Sequence, residues 1–395
     1  AAGWFDMDND GDLDLFVSNY CVWEVNKDPF CGPNPQTRAY CHPDSYEPLP
    51  NTLYRNNGDG TFTDVSREMG ILPHLGKGMG VVFADFDHDG WMDVFVANDN
   101  APNFLFHNKN GRSFEEVAMK MGVAFPESGA FISGMGADFR DLDNDGWEDI
   151  WHTAIEGETF PLYRNLGGGR GFEELTYRAG LAHETRNMSA WSCGAFDLDN
   201  DGWRDLVTAR GNVQHSLAML LMRQSEEPLA IFRNLGNNRF ADVTETAGPG
   251  AMKPRLRRGL AYGDLDNDGR IDFVTTTLNG HSEHFRNTTA NGNHWILFEL
   301  EGTRSNRMGL GARIRITTAD GLVQVNHATT STGYSASSDH RVHFGLGRSD
   351  LVRTVEITWP GGLRQTLENV RADQILKVRE PAAAPRPQSP RPPKR

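Results

Sequence analysis

An all-β fold is predicted for this chain of 395 residues, on three observations. A nine-residue acidic loop of pattern D-x-D-x-D-G-x-x-D recurs five times in the first 272 residues. A hairpin-like motif follows each loop. Beyond residue 288 the loops stop, and short alternating apolar runs replace them.

The loops start at Asp6, Asp85, Asp141, Asp197 and Asp264, with spacings of 79, 56, 56 and 67 residues. A period in this range marks a repeat architecture. Positions 1, 3, 5 and 9 are always Asp: Asp6, Asp8, Asp10 and Asp14; Asp85, Asp87, Asp89 and Asp93; Asp141, Asp143, Asp145 and Asp149; Asp197, Asp199, Asp201 and Asp205; Asp264, Asp266, Asp268 and Asp272. Four carboxylates in nine residues repel one another unless a cation lies between them. Hard oxygen ligands suit Ca²⁺, which takes about 6–8 of them. One ion per loop gives about five sites. Position 7 would offer a backbone carbonyl, so its side chain is free to vary as Asp12, Trp91, Trp147, Trp203 and Arg270. Gly at position 6 permits the sharp turn.

An EF-hand needs Glu at position 12 and helices on both sides. Here position 12 is Val17, Val96, His152, Thr208 or Thr275, and the flanks are strand-like. EF-hands are excluded. Mg²⁺ fits less well, because it prefers octahedral sites that keep several waters.

The second motif reads Leu53-Tyr54-Arg55-Asn56-Asn57-Gly58-Asp59-Gly60-Thr61-Phe62. It is echoed from Phe106 to Phe114, Tyr163 to Phe172 and Phe232 to Phe240; the fifth echo, Phe285-Arg286-Asn287, lacks the closing Phe. Gly-rich tips between apolar runs signal hairpins. Each repeat then holds about four short strands; in the second they are roughly residues 80–86, 92–97, 103–107 and 113–117. Such a unit, arrayed radially, is a propeller blade. The acidic loop would join the first two strands of each blade. The distance from loop start to the Arg or His of the echo is 22 residues in repeat two, 23 in three and 22 in five, but 49 in one and 36 in four. The excess places insertions at about 20–50 and 213–228. The second holds an apolar run from Leu217 to Met222, read as a short helix. Insertions on one rim of a repeat scaffold often shape its binding surface.

After residue 288, runs at 294–299, 312–317, 323–328, 341–344, 354–359, 364–367 and 375–378 predict about seven strands of a small β-sandwich over 289–380. The Pro-rich basic stretch 381–395 reads as a disordered tail. The propeller is expected to occupy 1–288. Its first blade is expected to be incomplete, because Ala1-Ala2-Gly3-Trp4 leads almost at once into a loop and suggests a processed or truncated start.

These loops and hairpins resemble the FG-GAP/VCBS repeats of integrin-type β-propellers. The C-terminal part resembles the ASPIC/UnbV domain of the cartilage-acidic-protein-like family. That second likeness rests on Ser305-Asn306-Arg307, Gly309-Leu310-Gly311-Ala312-Arg313, Gly333-Tyr334, His343-Phe344-Gly345-Leu346-Gly347 and Trp359-Pro360-Gly361-Gly362. The resemblances imply a secreted, calcium-binding propeller with a binding or adhesion role.

The formal charge is −14, and twenty of the 53 acidic residues are loop Asp. Five Ca²⁺ would bring the balance to about −4. The acidity is therefore ligand supply, and nucleic acid is not an expected partner. No apolar run reaches the length of a membrane span, about 18 residues. Of four cysteines, Cys21, Cys31 and Cys41 lie evenly spaced in the first insertion, where a disulfide would staple a segment with little core; Cys31–Cys41 is the favoured pair, and the place of Cys21 in the pairing stays open. Cys193 reads as a buried thiol. Disulfide and calcium loops together favour an extracellular or periplasmic home.

No G-x-S-x-G elbow, H-E-x-x-H pair or P-loop occurs. His281-Ser282-Glu283-His284 could bind a metal or act as an acid/base pair, though a polar-loop His commonly faces solvent. His152, His183 and His215 could converge across a central channel. Trp91, Trp147 and Trp203 could stack on sugars or pack between blades. The expected function is a non-catalytic module binding an extracellular protein or glycan. The alternative is an enzyme or a natural-product biosynthesis accessory on the same scaffold.

Overall fold

A computed structural model describes residues 1–214, 218 and 225–382. The expected helix over 217–222 falls outside the described residues except for Ala218, as does the expected disordered tail from residue 383.

Five antiparallel meanders follow one another in the chain, the first four of four strands and the fifth of three. The acidic loops join the innermost strand of each to the next: Ala2–Phe5 to Asp14–Val17, Gly78–Ala84 to Asp93–Asn98, Ala137–Arg140 to Asp149–His152, Ala190–Phe196 to Asp205–Arg210, and Arg257–Gly263 to Asp272–Thr277. Successive innermost strands contact one another in chain order, as propeller blades do. The apolar runs bury both faces of the second, third and fourth meanders and one face of the first and fifth. Phe5, Phe16 and Leu53 of the first pack on Val81, Phe83 and Val94 of the second. Phe95 meets Phe139 and Ile150 of the third, Trp151 meets Cys193 and Leu206 of the fourth, and Val207 meets Leu260 and Phe273 of the fifth. Each buried large side chain contributes roughly 1.5–3 kcal/mol.

Two expectations about the blade edges need correction. The first blade is complete, because Ala2–Phe5 supplies its innermost strand. The short blade is the fifth, which ends at Glu283–Phe285. In the second, third and fourth blades the closing Phe, as Phe114, Phe172 or Phe240, opens the outermost strand and is buried. The backbone N–H of Phe114 and Phe240 also donates to the preceding blade, at Met69 and Ala179. The fifth blade has no such Phe. Its chain turns back instead, and the Asn291 and Asn293 amides donate to the Asp199 carbonyl at 2.5 and 2.9 Å.

All seven expected C-terminal strands form. Val342–Gly347, His294–Glu301 and Gln374–Arg379 make one sheet; Val323–His327, Arg313–Thr318, Leu351–Thr358 and Arg364–Arg371 make the other. Ile296, Phe298, Ile314, Val355 and Trp359 fill the space between them. This sandwich sits on the acidic-loop side of the blades. Arg313 donates to the Gly146 carbonyl (2.8 Å), Gly347 N–H to the Asn200 carbonyl (2.8 Å) and Arg341 to the Asp264 carbonyl (2.6 Å).

From the sandwich, residues 327–339 run down between the blades and return. His327 lies 3.0 Å from the Phe83 carbonyl near the loop end, and Ser331 Oγ donates to the Val81 carbonyl at 2.6 Å. Gly333 exchanges backbone bonds with Ala137, and the Tyr334 N–H donates to Ser192 Oγ at 2.9 Å. On the way back Tyr262 N–H meets Ser338 Oγ and Asp339 N–H meets the Tyr262 carbonyl. A Cβ on Gly3 would lie 2.9 Å from Ser331 Oγ, so the first blade also abuts this segment. All five innermost strands thus close on one hairpin of the C-terminal sandwich.

The first insertion carries the Cys31–Cys41 disulfide and one turn of 3₁₀ helix at Pro43–Ser45. Cys193 is a buried thiol and Cys21 is free. Among the described residues no helix is long and apolar enough to cross a membrane.

Candidate metal centres

Each acidic loop is built by the same bonds. Position 4 takes a left-handed backbone (Asn9, His88, Asn144, Asn200 and Asn267, φ 56–60°), and the Gly at position 6 has φ between 83° and 97°. These two residues reverse the chain, so that the position 1 carboxylate accepts the backbone N–H of position 6: Gly11 to Asp6 (3.1 Å), Gly90 to Asp85 (2.9 Å), Gly146 to Asp141 (3.0 Å), Gly202 to Asp197 (2.8 Å) and Gly269 to Asp264 (2.8 Å). Position 5 accepts the N–H of position 7, as in Trp91 to Asp89 (3.0 Å). Position 9 clasps the loop shut. Asp14, Asp93, Asp149 and Asp205 each take the N–H of position 2 on one oxygen and the N–H of the echo Asn on the other; Asn165 to Asp149, for example, is 2.8 Å.

That echo Asn explains why the Arg-Asn pair recurs. The Asn165 amide donates to the Phe86 carbonyl of the preceding loop (2.8 Å) and to the Glu148 carbonyl of its own (3.1 Å). Asn108, Asn234 and Asn287 repeat the pattern onto Met7, Leu142 and Leu198. Position 4 ties each loop to the next: Asn9 to Gly90, Asn144 to Gly202 and Asn200 to Gly269, at 2.9–3.1 Å. The second loop uses His88, which meets Glu148 at 3.0 Å. These asparagine links carried no signal in single repeats, because their partners lie in the neighbouring blade.

The carboxylates converge. Ligand atoms of Asp6, Asp8 and Asp10 lie within 4.8 Å of one another, as do those of Asp85, Asp87 and Asp93, of Asp141, Asp143 and Asp149, and of Asp197, Asp199 and Asp205. Asp8 Oδ1, Asp141 Oδ1 and Asp272 Oδ2 are buried with no hydrogen-bond partner. Burial, reinforced by the neighbouring carboxylates, pushes Asp6 up to about 6, Asp14 and Asp85 to about 7, and Asp141 and Asp205 to about 8. Asp93, Asp149 and Asp197 rise well above the usual carboxylate range for the same reasons.

Partial compensation comes from the echo Arg. Arg164 holds Asp143 and Asp145 at 2.5 and 2.7 Å, Arg233 holds Asp199 and Asp201 at 2.8 and 3.0 Å, Arg286 holds Asp266 at 2.7 Å, and Arg55 lies 3.8 Å from Asp8. In the second blade His107 takes this place, 3.2 Å from Asp87 and 3.5 Å from Asp89. One side chain per loop cannot neutralise four carboxylates, so the donor set fits a divalent oxygen-seeking cation. Of the position 7 side chains, Asp12 is exposed rather than part of the converging set, and Arg270 folds back onto Asp268.

The three tryptophans pack rather than stand free. A Cβ on Gly111 would lie 2.7 Å from Trp91, one on Gly167 2.5 Å from Trp147, and one on Gly236 3.4 Å from Trp203. Each indole therefore covers the hairpin tip of its own blade. Trp147 also stacks on His88 of the preceding blade at 3.9 Å. The other histidines do not assemble a centre. His152 is enclosed beside Asn103 and Tyr163, and burial pushes it down to about 4. His183 is exposed on Leu181–Thr185, and His215 lies outside the described residues. Glu283 is committed to Arg257 at 2.8 Å and Arg255 at 3.4 Å, while His281 and His284 face solvent.

Comparison with known proteins agrees with this anatomy. The FG-GAP-like repeat family matches residues 6–96, 88–152 and 217–275, and the ASPIC and UnbV family matches 302–385. The chain is 24% identical to cartilage acidic protein 1 of Homo sapiens over 384 residues, 95% of this chain and 52% of that protein. The Mus musculus protein gives 24% over 382 residues, covering 95% and 53%. The chain thus spans about half the length of these relatives. A solved structure of BBS1N in complex with ARL6DN aligns over 93% of this chain and 90% of that one, at 10% identity and a TM-score of 0.39, too loose an overlap for a functional argument.

Proposed function

The chain belongs to the FG-GAP-like repeat family and carries an ASPIC and UnbV module, and from that premise we propose that it is an extracellular, calcium-loaded, non-catalytic binding module for a protein or glycan. The observation that carries the calcium reading is the convergence of carboxylates whose buried oxygens lack partners. The side chains at positions 1, 3, 5 and 9 and the position 7 carbonyl of each loop would hold the ion. Bound there, Ca²⁺ supplies charge neutralisation and no reaction chemistry. Because neighbouring loops are tied to one another and to the sandwich, neutralising them firms the whole assembly.

The engagement of the candidate acids and bases supports the non-catalytic part: Glu283 lies in ion pairs and His152 is enclosed. The disulfide supports an oxidising compartment. Elemental analysis should find about five calcium ions per chain, one per loop. Because the ion binds the folded state, a chelator should lower the melting temperature by many degrees. Asp143→Ala should remove one ion and leave four. A chain that holds no calcium and melts identically in chelator would overturn the reading.

A further inference from the structure

Each of the first four blades ends in one local pattern. Three, seven and eight residues after the closing Phe come an apolar residue, a Met or Ala, and a Gly. In the first three blades Met69, Met121 and Ala179 are buried. A Cβ on Gly70, Gly122 or Gly180 would lie 2.9–3.3 Å from the carbonyl of the next blade's closing Phe. The pattern is therefore a seat for the outermost strand of the following blade. The fourth blade builds the same seat with Val243, Ala247 and Gly248. Here Ala247 is exposed, Val243 is only half-buried, and a Cβ on Gly248 would meet no described atom within 4 Å.

The fifth blade supplies the opposite wall. Its last strand, Glu283–Phe285, pairs with Asp272–Thr277 on one side and with no other strand among the described residues. Phe285 is half-buried, whereas its counterparts Phe106, Tyr163 and Phe232 are fully buried. Between seat and edge runs a groove of about 640 Å³, lined by Leu198, Val243, Ala247, Phe273 and Phe285. Residues 215–217, 219–224 and 383–395, outside the described set, contain no Phe, Tyr or Trp, so they cannot supply the closing ring. The chain's own fourth strands define what fits. In Phe172–Glu174 the Phe pairs with Asn165 and the first Glu with Arg164; Phe114–Glu116 sets its Phe against Asn108 and its first Glu against His107. The same register at the open edge sets an aromatic residue against Asn287 and an acidic one against Arg286. Arg286 holds Asp266 at 2.7 Å, yet its side chain is 60% exposed. Its five N–H donors leave capacity for a second carboxylate.

We propose that this groove binds an extended segment of another protein, an aromatic residue followed by one or two acidic ones, which adds to Glu283–Phe285 as an antiparallel fourth strand. The proposal deepens the reading of the chain as a binding module and rests on it. The probe is a capped, fluorescein-labelled peptide with the chain's own sequence at residues 171–176, titrated with the calcium-loaded chain and followed by anisotropy. Saturable binding is expected below about 1 mM. Replacing the peptide's Phe by Ala should weaken binding about tenfold or more, the scale of one buried aromatic side chain, and leaves the protein untouched. Ala247→Glu puts bulk and negative charge on the seat and should weaken it as much. Ala319→Glu, at an exposed position in the sandwich, should leave affinity unchanged. The proposal is overturned if the peptide does not saturate, if its Phe→Ala form binds equally, or if Ala247→Glu has no effect. It is also overturned if the chain self-associates through this groove, shown by sedimentation that Ala247→Glu alone abolishes, because the seat then belongs to a second copy. Glycan binding that ignores Ala247→Glu, with no peptide binding, overturns it and leaves the binding-module reading standing.

Discussion

Replacing Gly333 by Ala tests whether the C-terminal hairpin is the axle of the blades. Gly333 has φ +63°, and an added Cβ would lie 2.0 Å from Ser192 Oγ and 2.8 Å from the Cys193 carbonyl. The left-handed backbone costs an L-residue about 1–2 kcal/mol. Forcing the hairpin away from the fourth blade adds an overpacking cost of about 1–3 kcal/mol. It also stretches the paired backbone bonds to Ala137. The expected destabilisation is therefore about 2–5 kcal/mol. Gly361 supplies the control, with φ +81° and no atom within 4 Å of an added Cβ. Gly361→Ala should show the backbone cost alone, about 1–2 kcal/mol. Urea unfolding in calcium, followed by tryptophan fluorescence and by far-ultraviolet dichroism, reads both variants. If Gly333→Ala falls within about 0.5 kcal/mol of Gly361→Ala, close approach at the hairpin tip contributes nothing, and the argument for an axle fails.

Other expectations follow from the loops and the first insertion. Asn165→Ala removes donors from two carbonyls in adjacent blades and should cost about 2–4 kcal/mol, against near zero for the exposed Asn57→Ala, by the same urea assay. In chelator, stability should fall as pH rises from about 4 to about 8 and level off above that. Asp14, Asp85, Asp141 and Asp205 are raised to about 7–8 in the fold, so the folded state holds protons that the unfolded chain has already released. In calcium that slope should flatten, since the ion displaces those protons from the folded state; equal slopes in both conditions would contradict the loop electrostatics. Reducing Cys31–Cys41 opens a loop with a sequence separation of 10 and should loosen the insertion by about 2–3 kcal/mol. Limited proteolysis should then cut between residues 22 and 47 well before the blades; unchanged protection would argue that packing alone holds the insertion.

The loops were legible because their chemistry is local: five Asp-Gly patterns, each complete within nine residues. The sandwich strands were legible for the same reason, since alternation from His294 to Val378 shows within each strand. A disulfide in the first insertion was legible from three cysteines in a segment with little core, but their even spacing did not by itself choose Cys31–Cys41 over a pair with Cys21. What escaped was built from distant partners. The run Ala328-Thr329-Thr330-Ser331-Thr332-Gly333-Tyr334-Ser335-Ala336 has no period of its own, and its bonds reach Val81, Ala137 and Ser192. The echo Asn gave no clue either, because its amide acts across the blade boundary. The fifth blade shows how a missing residue can be read and its consequence misplaced. The absent closing Phe was visible after Asn287, yet the incomplete blade was expected at the other end. Tyr334, too, packs edge-on to Trp191 at 5.3 Å although the two lie far apart in the chain, a meeting that no local pattern announces.

The position of the axle in the sequence fixes an order of events during synthesis. Every innermost strand leaves the ribosome before residue 264, but the segment those strands close upon is made only after residue 326. Until then Asp138, Arg140 and Ser192 face one another around a channel without the Thr332, Asn326 and Tyr334 groups that later bond them. The blades must wait, partly formed, for a segment made only after residue 326. Contacts of such long sequence separation form slowly and leave open intermediates exposed. A chain stopped near residue 288 is therefore expected to emerge as a set of blades without a centre, and to depend on chaperones far more than the chain that carries residues 327–339.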